Sequence, residues 1–351
     1  MDYAVTLLIL AFMIFLVLFK AKYNNNSEHF FDADSTKTLR ASWIFVIVMA
    51  HLDSRFHDPI QELILHFGYV GITFFFMSSG YGLSLSLDKK PDSIRFFWRK
   101  KLPKLVLACW LVTLIFALVL RFGFGLKLPA KEYLAIESWI RWLLACYFFF
   151  WLAHIFSLKS KLFADILCCI FVIIFSITVY FLSERGVITE TVWVTECYGF
   201  IWGILLHRYR DKFLAFVGDK WIQKALVFLA VSAVLGLGYL KYKSVPLAGD
   251  YLLKIVLGAS LLAVVLIINT RISFGNRISL FLGALTLETY LVHLKVIIIM
   301  NMICYGMPSG LFLLTAVLLT ILLSVAVQFV LNLILKPIYK IPFMNEKGHH
   351  A

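Results

Sequence analysis

The chain has 351 residues, 62% of them hydrophobic and 15% charged, with a mean hydropathy of +0.89. So much apolar surface excludes an ordinary water-soluble domain and marks a polytopic membrane protein. The formal net charge of +13 does not point to nucleic acid, because the cations cluster in short loops between apolar runs, where they set topology.

Runs long enough to span a bilayer are expected at about 3–19, 40–54, 68–86, 104–121, 139–157, 162–182, 192–206, 223–240, 251–270, 278–300 and 311–335. Eleven spans divide the loops into two sets, one holding 23 Lys and Arg and the other 7. The expected fold is therefore all-α, with about 11 transmembrane helices, the N-terminus outside and the C-terminus in the cytoplasm. The first run is preceded by Asp2, is followed by Lys20 and Lys22, and lacks a small-residue cleavage site. It reads as an uncleaved helix. Six cysteines fall in or beside the spans without metal-ligand spacing, so no metal site is expected and core packing is their use.

The second run carries the first chemistry. Arg40 and His51 are eleven residues apart, which on a helix is three turns plus about 20°, so they share a face about 16 Å apart along the axis. A cation and a titratable ring on one membrane stripe face protein or water rather than lipid. Beyond it, the loop Phe56 to Phe67 is expected on the outer side. His57 and His66 read there as surface residues, and Asp53 as a carboxylate that tunes His51.

In the third span Ser78, Gly82 and Ser86 recur every four residues, as do Gly80 and Ser84. Small residues at that spacing allow close helix packing, and here the run is expected either to pack against the Arg40–His51 helix or to open a narrow path beside it. The next loop is the most basic in the chain: Lys89, Lys90, Arg95, Arg99, Lys100, Lys101 and Lys104. Topology and anionic headgroups account for such a loop in part. Arg95 and Arg99, four apart, are also expected to share a helix face as a phosphate clamp, with Phe96, Phe97 and Trp98 to stack on a base.

Three motifs now stand in order: Arg40-x10-His51, the run Phe74-Phe75-Phe76-Met77-Ser78-Ser79-Gly80-Tyr81, and the loop Phe97-Trp98-Arg99-Lys100-Lys101-Leu102-Pro103. This set resembles the membrane-bound acyltransferase family 3. Looser agreement follows at Ser138–Phe148, at Cys197–Gly203, and at Leu285–His293, where Thr replaces the commoner Ser of an S-x-x-x-Y-L-x-H pattern. The resemblance implies a ten-helix acyltransferase domain over 36–340, an extra N-terminal helix and linker in 1–35, and a tail at 341–351. It implies transfer of an acyl group, usually acetyl, from a cytoplasmic CoA thioester to a hydroxyl, often of a surface carbohydrate or glycolipid.

On that basis acetyl-CoA is the expected donor, with no permanently bound cofactor, and the expected location is a cell membrane, plasma or inner. His51 is the expected general base, since a neutral imidazole accepts a hydroxyl proton near operating pH. Arg40 is placed with it in the catalytic set, at the cytoplasmic end of its helix. Arg95, Arg99, Lys100 and Lys101 are expected to hold the CoA phosphates. Ser79, Trp139, Thr289 and His293 are candidates for the substrate path. Trp139, Trp142 and Tyr147 read first as an interfacial aromatic belt, and Glu288 with Lys295, seven apart, as a buried ion pair. The outer loop Phe122 to Glu137 is a further place for acceptor specificity. The alternative reading is a transporter or flippase with Arg40, His51, Glu288 and Lys295 along its pathway.

Overall fold

The computed structural model describes residues 2–24, 27–52, 58–156 and 160–340. Its fold is all-α apart from one antiparallel pairing of two-residue strands, Lys22–Tyr23 with Ile272–Ser273. In chain order the helices are α1 (Asp2–Leu18), α2 (Ala33–Ala50), α3 (Pro59–Phe67), α4 (Tyr69–Lys89), α5 (Phe97–Phe124), α6 (Ser138–Phe156) and α7 (Lys161–Glu184). They continue as α8 (Tyr198–Arg208), α9 (Arg210–Val217), α10 (Trp221–Tyr242), α11 (Lys254–Asn269), α12 (Arg277–Ala284), α13 (Thr286–Ile303) and α14 (Ser309–Lys340). Among the described residues, eight helical stretches are long and apolar enough to cross a bilayer, and α1 is apolar but shorter.

Contacts gather the loops at two ends of the bundle. At one end Asn24 N donates to Arg271 O at 2.8 Å, Arg271 pairs with Asp219 at 2.8 Å, and Lys161 pairs with Asp88 at 2.6 Å. At the other, Thr6 Oγ1 donates to Asp58 at 2.8 Å, Trp193 Nε1 to Ser138 Oγ at 2.8 Å, and Tyr180 OH to Asp250 at 3.1 Å. The first set joins segments of the loops expected to be basic; we call it the basic end.

Several boundaries differ from expectation for local reasons. The stretch 59–67 is a helix, not a loop: Asp58 caps it by accepting from Ile60 N and Gln61 N at 3.0 Å, and Pro59 suits the first turn. His66 therefore lies on α3, where its Nε2 is 2.8 Å from Lys243 Nζ. The run 278–300 is broken at Leu285 into α12 and α13. Helix α8 has only eleven residues, too short to span alone, because 192–197 leaves regular structure around the buried Glu196. Lys254 Nζ reaches that carboxylate at 2.6 Å, and Thr195 Oγ1 donates to it at 3.0 Å. Asp53 and His57 lie outside the described residues.

Helix α4 packs against α2 as expected, a Cβ on Gly71 lying 3.2 Å from Trp43 O, but its tightest contact is with α8. A Cβ on Gly203 would lie 2.0 Å from Met77 O, one on Gly199 2.1 Å from Thr73 O, and one on Gly80 2.3 Å from Phe200 O. These are backbone atoms, so only glycine permits the approach. The contact fixes the rotation of α4 and with it the direction of Ser78 and Ser79.

Candidate active site

Asp32 caps α2 by accepting from Ser35 N at 2.8 Å, so the helix begins at Ala33, two turns before Arg40. Arg40 is thus not at the helix end. It lies level with the middle of the bundle, opposite Ser78, the tenth residue of α4, and near Tyr147, the tenth of α6. Its Nε and Nη2 donate to Ser78 Oγ at 3.0 and 2.8 Å, and Ser78 Oγ donates to Phe75 O at 3.1 Å. Ser79 and Tyr147 share a side-chain hydrogen bond beside it. Arg40 is partly buried, and no carboxylate pairs with it among the described residues. A guanidinium kept in that condition offers its donors to an incoming anion or carbonyl.

The basic loop is a 3₁₀ turn, Pro91–Phe96, followed directly by α5. Arg95 therefore belongs to the turn while Arg99, Lys100 and Lys101 open the helix, and the expected single face through Arg95 and Arg99 is interrupted at Phe96. Arg95 and Lys100 are exposed; Arg99 and Lys101 are partly buried. Phe97 turns inward, and its ring lies 5.8 Å from that of Tyr147. That contact holds the start of the basic helix next to the level of Arg40. Phe97 is thus committed to the core, and only Trp98 and Phe96 retain partial exposure for stacking.

From the middle of the bundle toward the other end runs a file of rings. Trp139 is buried edge-on to Phe75 at 6.1 Å and Phe76 at 6.3 Å, and meets Tyr290 at 4.6 Å. Tyr290 meets His293 at 5.6 Å, and His293 meets His51 at 5.2 Å. Trp139, Trp142 and Tyr147 face inward and form no interfacial belt, since all three are buried. His51 is the C-cap residue of α2 and is exposed, so the Arg40–His51 spacing does run from mid-bundle to one end.

His293 is wholly enclosed. Its Nδ1 lies 3.1 Å from Thr289 O, a carbonyl, so the geometry assigns the ring proton to Nδ1 and leaves Nε2 as a lone-pair acceptor. That Nε2 and the Trp139 Nε1–H have no hydrogen-bond partner among the described residues. Unsatisfied polar atoms beside the one exposed histidine of the file are unusual in a packed interior. Thr289 is buried with its side chain toward α2, lining a 20 Å³ cavity with Ile44, Phe45 and Val48.

Glu288 and Lys295 do not pair with each other. Seven residues along a helix is about 10 Å, and each has a nearer partner on another segment. Lys295 Nζ reaches Glu137 Oε1 at 2.6 Å; Glu288, with no exposure at all, faces Lys104 at 3.7 Å. The Lys295–Glu137 pair walls a 470 Å³ cavity, which is also lined by Lys131, Glu132, Arg141 and Glu190. The segment Phe122–Glu137 therefore forms a polar chamber at the end opposite the basic loop.

One charged cluster has no counterpart in the sequence reading. His154 Nε2 lies 3.1 Å from Asp165 Oδ1, and Arg208 Nε donates to Asp165 Oδ2 at 2.7 Å, joining α6, α7 and α8 at the basic end. Asp165 inside an apolar span was the available signal, since a lone intramembrane carboxylate requires a partner.

A family model described as an acyltransferase domain matches residues 35–331, the greater part of the chain. No curated protein and no solved structure matches significantly. The matched region runs from the first turn of α2 to within the last helix, so it contains Arg40, the basic turn, Trp139, His293 and His51 together, on a bundle of apolar helices. The chain accordingly belongs to the membrane-bound acyltransferase family 3 that its ordered motifs resemble, and is a membrane acyltransferase.

Proposed function

We propose that the protein moves an acetyl group from cytoplasmic acetyl-CoA to a hydroxyl of a cell-surface or exported carbohydrate, with His51 as general base. The observation that carries this reading is the polar layout along one line: a basic turn, an arginine with no carboxylate partner among the described residues, and then a histidine pair at the opposite end. Arg99, Lys100 and Lys101, with Arg95 in the preceding turn, supply donors for the CoA phosphates. Arg40, two turns into α2, meets the pantetheine arm or the thioester carbonyl rather than the nucleotide. His51 takes the proton of the attacking hydroxyl as its oxygen bonds to the thioester carbon, and CoA leaves as the thiolate, which is then protonated.

The rings of Trp139 and Tyr290 pack between Arg40 and His51, so passage of the arm requires them to move. In this reading the Trp139 N–H, which has no partner among the described residues, then donates to an amide carbonyl of the arm. The orientation that fits is eleven spans with the basic end in the cytoplasm. The reading is tested by supplying purified protein with radiolabelled acetyl-CoA and acceptor-bearing membranes. Transfer is expected, and failure to bind CoA sinks it. Arg95→Ala is expected to raise the Kd for acetyl-CoA by about ten- to a hundredfold, the range for one charge-assisted hydrogen bond, while kcat changes little. Equal affinity in that variant removes Arg95 from the phosphate site and leaves the enzyme assignment standing.

A further inference from the structure

Helix α1 precedes the region matched by the family, and it is fastened at both ends. Near the basic end Asn276 Nδ2 donates to Leu16 O at 2.8 Å and to Phe19 O at 3.1 Å. At the other end Thr6, fully buried in the middle of an otherwise apolar face, donates to Asp58 Oδ2 at 2.8 Å.

Asp58 is itself buried and serves two elements at once. Its Oδ1 accepts from Ile60 N and Gln61 N, capping α3, while Oδ2 is turned to α1. Gln61, the third residue of α3, is almost wholly buried, and its Nε2 donates to Met49 O. Met49 O also accepts from Leu52 N at 3.0 Å, and His51 N donates to Val48 O at 3.1 Å. The turn carrying His51 therefore hangs on a carbonyl held by Gln61, which is oriented by Asp58, which is held by Thr6.

We propose that α1 is a positioning element for His51, acting through the relay Thr6, Asp58, Gln61 and Met49. The relay is continuous in hydrogen bonds and uses no exposed group, so solvent cannot replace any link. Without Thr6 the Asp58 Oδ2 loses its donor inside an apolar contact, and the α3 cap and the α2 terminus gain freedom together. A displacement of about 1 Å at a proton-transferring ring is enough to reduce a rate about a hundredfold. The functional part of this proposal rests on His51 being the base; the mechanical part does not.

The full-length protein is examined as wild type, Thr6→Val, Thr6→Ser and Gln61→Met, with two readouts. The first is amide hydrogen exchange over residues 49–52, compared with the remote segment 255–266 of α11. Thr6→Val removes the donor at constant shape, and exchange at 49–52 is expected to rise about tenfold, the equivalent of one lost hydrogen bond, with α11 unchanged. The second is transfer from radiolabelled acetyl-CoA to native membranes, where kcat is expected to fall about tenfold in Thr6→Val and further in Gln61→Met, at an acetyl-CoA KM within about twofold of wild type. Thr6→Ser restores both. Unchanged exchange at 49–52 in Thr6→Val, or no rescue by Thr6→Ser, overturns the relay. A KM that rises in proportion to the loss of kcat marks general loosening and also overturns it. If the wild type transfers no acetyl while Thr6→Val still loosens 49–52, the relay stands and the acyl-transfer reading falls.

Discussion

Replacing His51 with alanine is expected to lower kcat for acetyl transfer by about 10²- to 10⁴-fold, the range supplied by a positioned general base. The acetyl-CoA KM is expected to stay within about threefold of wild type, because the phosphate contacts are assigned to the other end of the bundle. The contrast follows from geometry: His51 is an exposed cap residue about 16 Å along α2 from Arg40, so the substitution is remote from the basic end. His51→Gln keeps hydrogen-bonding capacity but cannot take up a proton, and is expected to be as inactive as alanine. His293→Gln gives a different pattern. His293 is fully enclosed and bonded to Thr289 O, so its replacement is expected to lower thermal stability as well as rate, whereas the exposed His51 is expected to cost less stability than His293 when replaced by alanine. Steady-state kinetics and thermal unfolding of the same purified samples separate the two. A His51→Ala enzyme with normal kcat refutes the base assignment.

Gly203→Val is expected to destabilise the detergent-solubilised protein by at least about 3 kcal/mol, the upper range for overpacking, and to collapse the yield of monodisperse material. Its Cβ would meet Met77 O at 2.0 Å and Tyr81 N at 2.7 Å. Neither is a side chain that can swing away, so α8 must leave α4. Gly82→Val is the matched control. Nothing lies within 4 Å of a Cβ there, and its unfolding temperature is expected to match wild type within about 2 °C. Because α4 carries Ser78 and Ser79, milder Gly203→Ala protein that survives purification is expected to lose activity as well. Equal stability of the Gly203 and Gly82 variants would contradict the α4–α8 packing.

Gly80 and Gly82 of α4 mark how much of this packing is legible in the sequence. Small residues every four positions correctly signalled close packing of α4, yet the stripe through Gly82 was as good a candidate as Gly80, and only the tertiary partner distinguishes them. The spans, the all-α class and the ordered motifs were legible because apolar length and local spacing carry them. The depth of Arg40 is not legible in the spacing alone: Ser35, Thr36 and Lys37 look like a loop, although Asp32 three residues before Ser35 is an available cap signal. Thr38 is instead buried against Ser279 Oγ at 2.8 Å, and the polar turn packs inside the bundle. The partners of Glu288 and Lys295 lie on α5 and on the segment before α6, at separations no local spacing encodes. The meeting of His51 and His293 is of the same kind: two residues far apart in the chain, brought to one level by parallel helices α2 and α13.

In the proposed direction CoA enters at the basic end and the acetyl group leaves near His51. Membrane vesicles of defined sidedness test it directly, because acetyl-CoA does not cross a sealed bilayer. Inside-out vesicles, with the basic end outward, are expected to incorporate label from external radiolabelled acetyl-CoA into glycan. Sealed right-side-out vesicles are expected to incorporate none until permeabilised, and His51→Ala vesicles none in either state. Incorporation by sealed right-side-out vesicles would contradict the account.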